Sequence, residues 1–200
     1  LKADGSVWAW GYGGNGELGN NSTTSMSSPV SVVGGHSFIK VVGGHIHSLG
    51  LKADGSVWAW GYGGNGELGD QTITNKSSPV VVAGAHSFVN IAAGYTHSAA
   101  LKANGEMWTW GSNSYSGVGG TGQLGDNSIT TRSSPVSVVG GHSFIAVAAT
   151  LINTYGLKAD GSVWAWGYGG NGELGNNSTT SMSSPVSVVG GHSFTKISAA

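Results

Sequence analysis

The residues that could carry chemistry recur along the chain, and recurrence is the first test of each. Gly11, Gly13 and Gly16, within GlyTyrGlyGlyAsnGly, have the G-x-G-x-x-G spacing of a dinucleotide-binding turn and follow a run with strand character. That motif works by handing a pyrophosphate to a helix N-terminus. No helix follows it here, and the same six residues return at 61–66 and 167–172, so the segment reads as a connecting loop. His45 and His47 alternate along a strand-like run, which would bring two imidazoles to one face as a metal site requires. His36, His86, His142 and His192 share a different position, before SerPhe, while His47 and His97 share a position that the third copy fills with Asn153. Asparagine hydrogen-bonds well but ligates transition metals poorly. The histidines therefore read as structural, and neither a metal nor any other cofactor is expected. An axial metal or anion at the HisSerPhe histidines would require a closed four-fold ring.

HisSer neighbours such as His36-Ser37 and His47-Ser48 point to opposite faces of a strand, and no G-x-S-x-G elbow is present. Asp4, Asp54 and Asp160 fall in turns. Glu17, Glu67 and Glu173 stand where the third copy has Gln123, an amide that cannot do the proton transfer of a catalytic carboxylate. No catalytic residue emerges, and the chain reads as non-enzymatic.

The elements that must position these residues are set by repetition. LeuLysAlaAspGlySerValTrpAlaTrpGly opens a 19-residue segment at 1–19 that returns unaltered at 51–69 and 157–175, with a diverged copy starting at Leu101. The units run 1–50, 51–100, 101–156 with an insertion, and 157–200, which is incomplete. Within a unit, β-branched runs at 29–33 and 38–42 are separated by Gly34, Gly35 and His36; further strands fall near 47–53 and 56–60. Asp54-Gly55, replaced by Asn104-Gly105 in the diverged copy, predicts a two-residue type I′ hairpin turn. Four short antiparallel strands per unit make an all-β fold of β-propeller blades, with four tandem four-stranded units. The strand period of two puts both tryptophans of each TrpXaaTrp on one face. Trp8, Trp10, Trp58, Trp60, Trp108, Trp110, Trp164 and Trp166 are accordingly the expected core.

The third unit departs from the others. It replaces a short loop by SerAsnSerTyrSerGlyValGlyGlyThrGlyGln at 112–123 and changes 150–155 to ThrLeuIleAsnThrTyr. Insertions in repeat arrays map to loops on one face, often the binding face. Asn113, Tyr115, Val118 and Thr121, with Tyr155, are the candidate partner-binding residues.

Eight Lys and Arg against nine Asp and Glu in 200 residues, scattered through the units, give no basic patch to neutralise phosphates. Nucleic acid is not an expected partner. No apolar run reaches the length of a membrane span and no basic-then-apolar leader is visible, so membrane insertion is not expected either. There is no cysteine, and surface polarity must come from Ser, Thr, Asn and Gly.

ProValxValxGly, HisSerPheIle, Gly-x-x-HisSer, LeuLysAlaAspGlySerValTrpAlaTrpGly and GlyGluLeuGly follow one another in order in several copies. In these motifs the whole chain resembles the regulator of chromosome condensation repeat. The resemblance implies a β-propeller, usually of seven blades, so that four units form part of a larger propeller or array. In the founding member such a propeller promotes nucleotide exchange on a small GTPase and docks on chromatin, but no residue here matches the element used for exchange. Near-identical repeats and an uncharged polar surface suggest a structural or protein-interaction module exposed at a bacterial or viral surface. It would bind a protein or copies of itself. The alternatives are an exchange factor or adaptor for a small GTPase and, third, a glycan-binding propeller.

Overall fold

Residues 1–198, apart from Ser116 and Val118, are described by the computed structural model, and every regular element among them is a β-strand. β1 (Trp8–Gly11) and β2 (Met26–Ser31) pair as a two-stranded sheet. β3 (Lys40–Gly43), β4 (His47–Leu51), β5 (Val57–Gly61) and β6 (Lys76–Val81) form the first four-stranded antiparallel meander. β7 (Asn90–Ala93), β8 (His97–Leu101), β9 (Met107–Gly111) and β12 (Arg132–Ser137) form the second. A small hairpin, β10 (Ser114–Tyr115) with β11 (Gly119–Gly120), is inserted before β12. β13 (Ala146–Ala149), β14 (Asn153–Leu157), β15 (Val163–Gly167) and β16 (Met182–Ser187) form the third. The structural blade is shifted in phase from the sequence repeat: the unit boundaries at 50/51, 100/101 and 156/157 cut through β4, β8 and β14.

The β4–β5 hairpin pairs His47 with Gly61 and Leu51 with Val57. Its turn is not the type I′ expected from Asp54-Gly55. Gly55 has φ +81°, whereas Asp54 is absent from the positive-φ residues, and the Gly55 amide donates to Lys52 O at 3.0 Å. This is a type I turn closed by a left-handed glycine. Asp54 keeps an ordinary backbone because its carboxylate accepts from the amide and hydroxyl of Ser56, at 2.9 and 2.6 Å, which fastens the turn one residue further on.

The strand period does put Trp58 and Trp60 on one face of β5, where they pack against Val7, Val32, Phe38 and Val41 on the preceding side. Val57 and Ala59, on the opposite face, join Leu49, Leu68, Val82 and Phe88 around Trp110 of the next blade. The wide indole face of one sheet is thus set against the narrow face of its neighbour. Gly19 and Gly69 allow the closest approach: a Cβ there would lie 2.9 and 2.7 Å from the indole nitrogens of Trp60 and Trp110. Those nitrogens donate to Glu17 O at 2.9 Å and Glu67 O at 2.8 Å, so each tryptophan ties one sheet to the next.

The eight tryptophans differ in burial. Trp60, Trp110 and Trp166 are fully buried, and Trp58, Trp108 and Trp164 are half-buried. Trp8 is 39% exposed and Trp10 63%. Their sequence context is the same as that of the buried rings, but among the described residues no sheet is packed against the outer face of β1.

Candidate functional site

The connections between the first and second strands of each blade lie side by side, and the second carries a tyrosine beside the insertion. His45 precedes β4 and Tyr95 precedes β8 at the same repeat position. Their rings stack at 3.8 Å between centroids with an interplanar angle of 14°. Tyr115, on β10, meets Tyr95 edge-on at 6.3 Å and 83°. The edge-on contact is the geometry favoured by the ring quadrupole. Leu151, the third blade's equivalent of Tyr95, is 40% exposed and continues the row.

Tyr95 stands between two shallow hollows. One, of about 350 Å³, is lined by His45, Tyr95, Thr150 and Leu151 among others. The other, of about 320 Å³, is lined by Asn65, Tyr95, Thr96, Ser112, Ser114 and Tyr115. Aromatic walls and neutral polar groups make a surface suited to contacts that need no ionic partner.

The candidate residues of the third unit divide sharply. Tyr115 belongs to this surface. Asn113 is fully buried and acts as a hub: its Nδ2 donates to Asp126 Oδ1 at 3.2 Å and Ser128 O at 3.0 Å, and its Oδ1 accepts from the Leu124 amide at 3.0 Å. Asp126, itself nearly buried, is held by Arg132 at 2.9 Å. Thr121 is also buried, its hydroxyl directed to the Gln123 side chain, whose Nε2 reaches Ser114 O at 3.3 Å. Asn113 and Thr121 therefore cannot touch a partner directly. They set the base from which β10 projects Tyr115. Val118 lies outside the described residues. Tyr155 is half-buried on β14, away from Tyr115, and its hydroxyl donates to Glu173 O at 3.2 Å. Burial, with Glu173 nearby, holds that phenol above its usual pKa.

The pair His45 and His47 does not share a face. His45 lies before the strand and is exposed, whereas His47 is buried with Nε2 2.9 Å from Ser98 Oγ. Burial pushes His47 down to about 3 and His97 to about 4, so both rings are neutral. His36, His86 and His142 lie against Trp58, Trp108 and Trp164 at 4.1–4.2 Å, as blade contacts. Among the described residues no group of three or more His, Asp or Glu side chains could hold a metal ion. The Glu17, Glu67 and Glu173 carboxylates each clasp an asparagine two residues earlier, taking its backbone amide and Nδ2 at 2.7–2.9 Å. These acids organise the GlyTyrGlyGlyAsnGly loop, and desolvation raises the pKa of the fully buried Glu67.

The stack of His45 on Tyr95 escaped the sequence reading. The one available signal was that both follow the glycine of the Gly-x-x-HisSer motif, at Gly44 and Gly94.

The family model described as the regulator of chromosome condensation (RCC1) repeat matches residues 4–51, 54–101 and 160–200, and a second model of that repeat matches 38–67 and 88–116. The inserted hairpin's second half and the strands after it, up to residue 159, lie outside both. No curated protein matches the chain. Among solved structures, human WBSCR16 superposes with a TM-score of 0.80 at 23% identity, over 94% of this chain and 48% of the other. Prp20p of Saccharomyces cerevisiae, reported with its binding properties to Gsp1p and histones, gives 0.78 at 24% over 94% and 48%. Yeast RCC1 (Prp20) bound to Kap60 gives 0.78 at 24% over 92% and 46%. The chain spans about half the length of these structures, and the likeness shows a shared propeller fold.

Proposed function

The chain belongs to the regulator of chromosome condensation repeat family, and from that premise we propose that it is a non-enzymatic protein-interaction scaffold displayed at a bacterial or viral surface. Its contact surface is the row His45, Tyr95 and Tyr115. The observation that carries this reading is the mount of Tyr115: a buried asparagine hub and the Asp126–Arg132 pair support the hairpin whose ring meets Tyr95, itself stacked on His45. A surface that binds by stacking gains from such preorganisation, because little side-chain freedom is lost on contact. Protein partners are reported for the likeness Prp20p, with Gsp1p and histones, and for yeast RCC1, with Kap60. A photo-crosslinking residue placed at position 95 or 115 should form protein adducts in cells of the source organism, and one placed at exposed Ile73 should not. Adducts spread evenly over the three positions would refute the surface. Protease accessibility on intact cells or particles tests the display.

A second reading, exchange factor or adaptor for a small GTPase, draws on the binding of Prp20p to Gsp1p. Acceleration of guanine-nucleotide release by the purified chain would select it. A third, glycan binding, draws on the stacked rings beside Asn65, Ser112 and Ser114, and saturable binding on a glycan array would select that.

A further inference from the structure

AsnGlyGlu occurs four times, at 15–17, 65–67, 104–106 and 171–173. An Asn-Gly pair carries its own chemistry, because glycine has no Cβ to shield its nitrogen from the asparagine side chain. With the same tripeptide at every site, the fold decides which pair reacts. Asn15, Asn65 and Asn171 are clasped: each gives its backbone N–H and its Nδ2 to the two carboxylate oxygens of Glu17, Glu67 or Glu173, at 2.7–2.9 Å. Turning such an amide onto the next nitrogen must first break a charge-assisted hydrogen bond.

Asn104 is exposed, in the turn between β8 and β9, and its Oδ1 accepts from the Glu106 amide at 3.1 Å. The Glu106 carboxylate takes Lys102 Nζ at 3.4 Å, and its side chain is 53% exposed. Lys102 does most to hold that carboxyl below its usual pKa, and Asn104 least. The clasp of the other three sites is therefore missing here. Two donors also activate the pair: the Glu106 N–H draws charge from Asn104 Cγ, and Ser143 Oγ donates to Asn104 O at 3.2 Å, which makes the Gly105 N–H more acidic. The Gly105 amide donates to Lys102 O at 3.0 Å, and those of Gly16, Gly66 and Gly172 are bonded at 2.8, 2.8 and 2.9 Å, so this bond does not set Asn104 apart.

We propose that Asn104 is a site of spontaneous deamidation, through which the third unit acquires the aspartate that the other three units carry in this turn. Gly105 N gives up its proton and bonds to Asn104 Cγ, the bond from Cγ to Nδ2 breaks, and the side-chain nitrogen leaves as ammonia with that proton. Water then opens the resulting succinimide to an α-linked or a β-linked aspartate. The α-linked product fits. Gly5, Gly55 and Gly161 have φ +81°, +81° and +82°, and Gly105 has +85°, so the four turns share one backbone. The Asp4, Asp54 and Asp160 carboxylates accept there from the amide and hydroxyl of the serine two residues on, at 2.6–2.9 Å. Aspartate at 104 would take the Glu106 amide in the same way. The turn lies at the ends of β8 and β9 remote from Tyr95 and Tyr115, so the modification is independent of the surface and function proposed above.

Tandem mass spectrometry of the folded 200-residue chain, held at mildly alkaline pH and then digested briefly, tests this. Trypsin separates the four pairs into peptides 3–40, 53–76, 103–132 and 159–196. Asn104 should convert about tenfold or more faster than Asn15, Asn65 or Asn171, the factor that one charge-assisted hydrogen bond supplies. In a urea-unfolded chain the four rates should draw level. Glu17→Gln should raise conversion at Asn15 towards that at Asn104, and Asn104→Asp should leave the melting temperature unchanged. Conversion of Asn104 no faster than that of the clasped residues overturns the proposal. So does an order of rates that persists in urea, a Glu17→Gln chain in which Asn15 stays protected, or an Asn104→Asp chain that melts well below the parent.

Discussion

The imidazole of His47 and the hydroxyl of Ser98 meet across a sheet boundary, Nε2 to Oγ at 2.9 Å. Ser98 Oγ donates its only proton to Glu67 O at 2.9 Å, so the imidazole must be the donor and His47 carries its proton on Nε2. His97 repeats the arrangement with Thr154 at 3.0 Å, and Thr154 donates to Gln123 O at 2.8 Å. Each blade is thereby bonded to its neighbour through a neutral ring. Ser98→Ala should leave a buried N–H without an acceptor and cost about 1–3 kcal/mol. A thermal or urea melt of that variant matching the parent would show that the bond contributes nothing.

The same rings give stability a pH dependence. Their folded pKa values, about 3 and about 4, lie below the ordinary 6.5, so between those limits the unfolded chain binds more protons than the folded one. The sign follows: stability is fully present above 6.5 and falls as pH drops, by about 1.4 kcal/mol per pH unit for each ring. Glu67 runs the other way, because its raised pKa favours the folded state at low pH and withdraws that support as pH rises. Replacing His47 and His97 together by Asn, the residue used at position 153, should therefore flatten the loss of stability between pH 6.5 and 4. Denaturation midpoints across that interval that are equally steep in both proteins would contradict the assignment.

Trp60 and Trp10 occupy the same repeat position with opposite surroundings, 1% and 63% exposed. Trp60→Ala should cost about 3–5 kcal/mol through the cavity it leaves. Trp10→Ala should change the stability of the monomer by no more than about 0.5 kcal/mol. Equal losses, measured by chemical denaturation at a concentration where the chain is monomeric, would mean that Trp10 is covered in solution.

That contrast also marks what the sequence could disclose. Period, turn residues and strand alternation specify blades, because they are local and each is repeated. Whether an indole is core depends on the neighbour stacked against it, and residues 1–38 are the same as 157–194 while Trp10 is exposed and Trp166 buried. The phase of the blade was equally hidden, since a periodic string has no preferred starting point. At the candidate surface, Tyr115 was legible as an aromatic in an insertion. The inward direction of Asn113 and Thr121 was not: short polar residues in a glycine-rich loop look alike whether they face water or bond the loop to itself.

Asn113 and Tyr115 should consequently fail in different ways. Asn113→Ala removes the amide that satisfies Leu124 N, Asp126 Oδ1 and Ser128 O, all near or within the interior. It should destabilise the third unit by about 1–3 kcal/mol and release the hairpin, seen as faster amide exchange at Leu124 and at Ser114, Tyr115, Gly119 and Gly120. Tyr115→Ala removes a ring that meets Tyr95 only edge-on, so the melting temperature should hardly move while the crosslinks formed at position 95 are lost. If Tyr115→Ala unfolds the unit, or Asn113→Ala leaves exchange at Leu124 unchanged, the division between a contact ring and its buried mount is wrong.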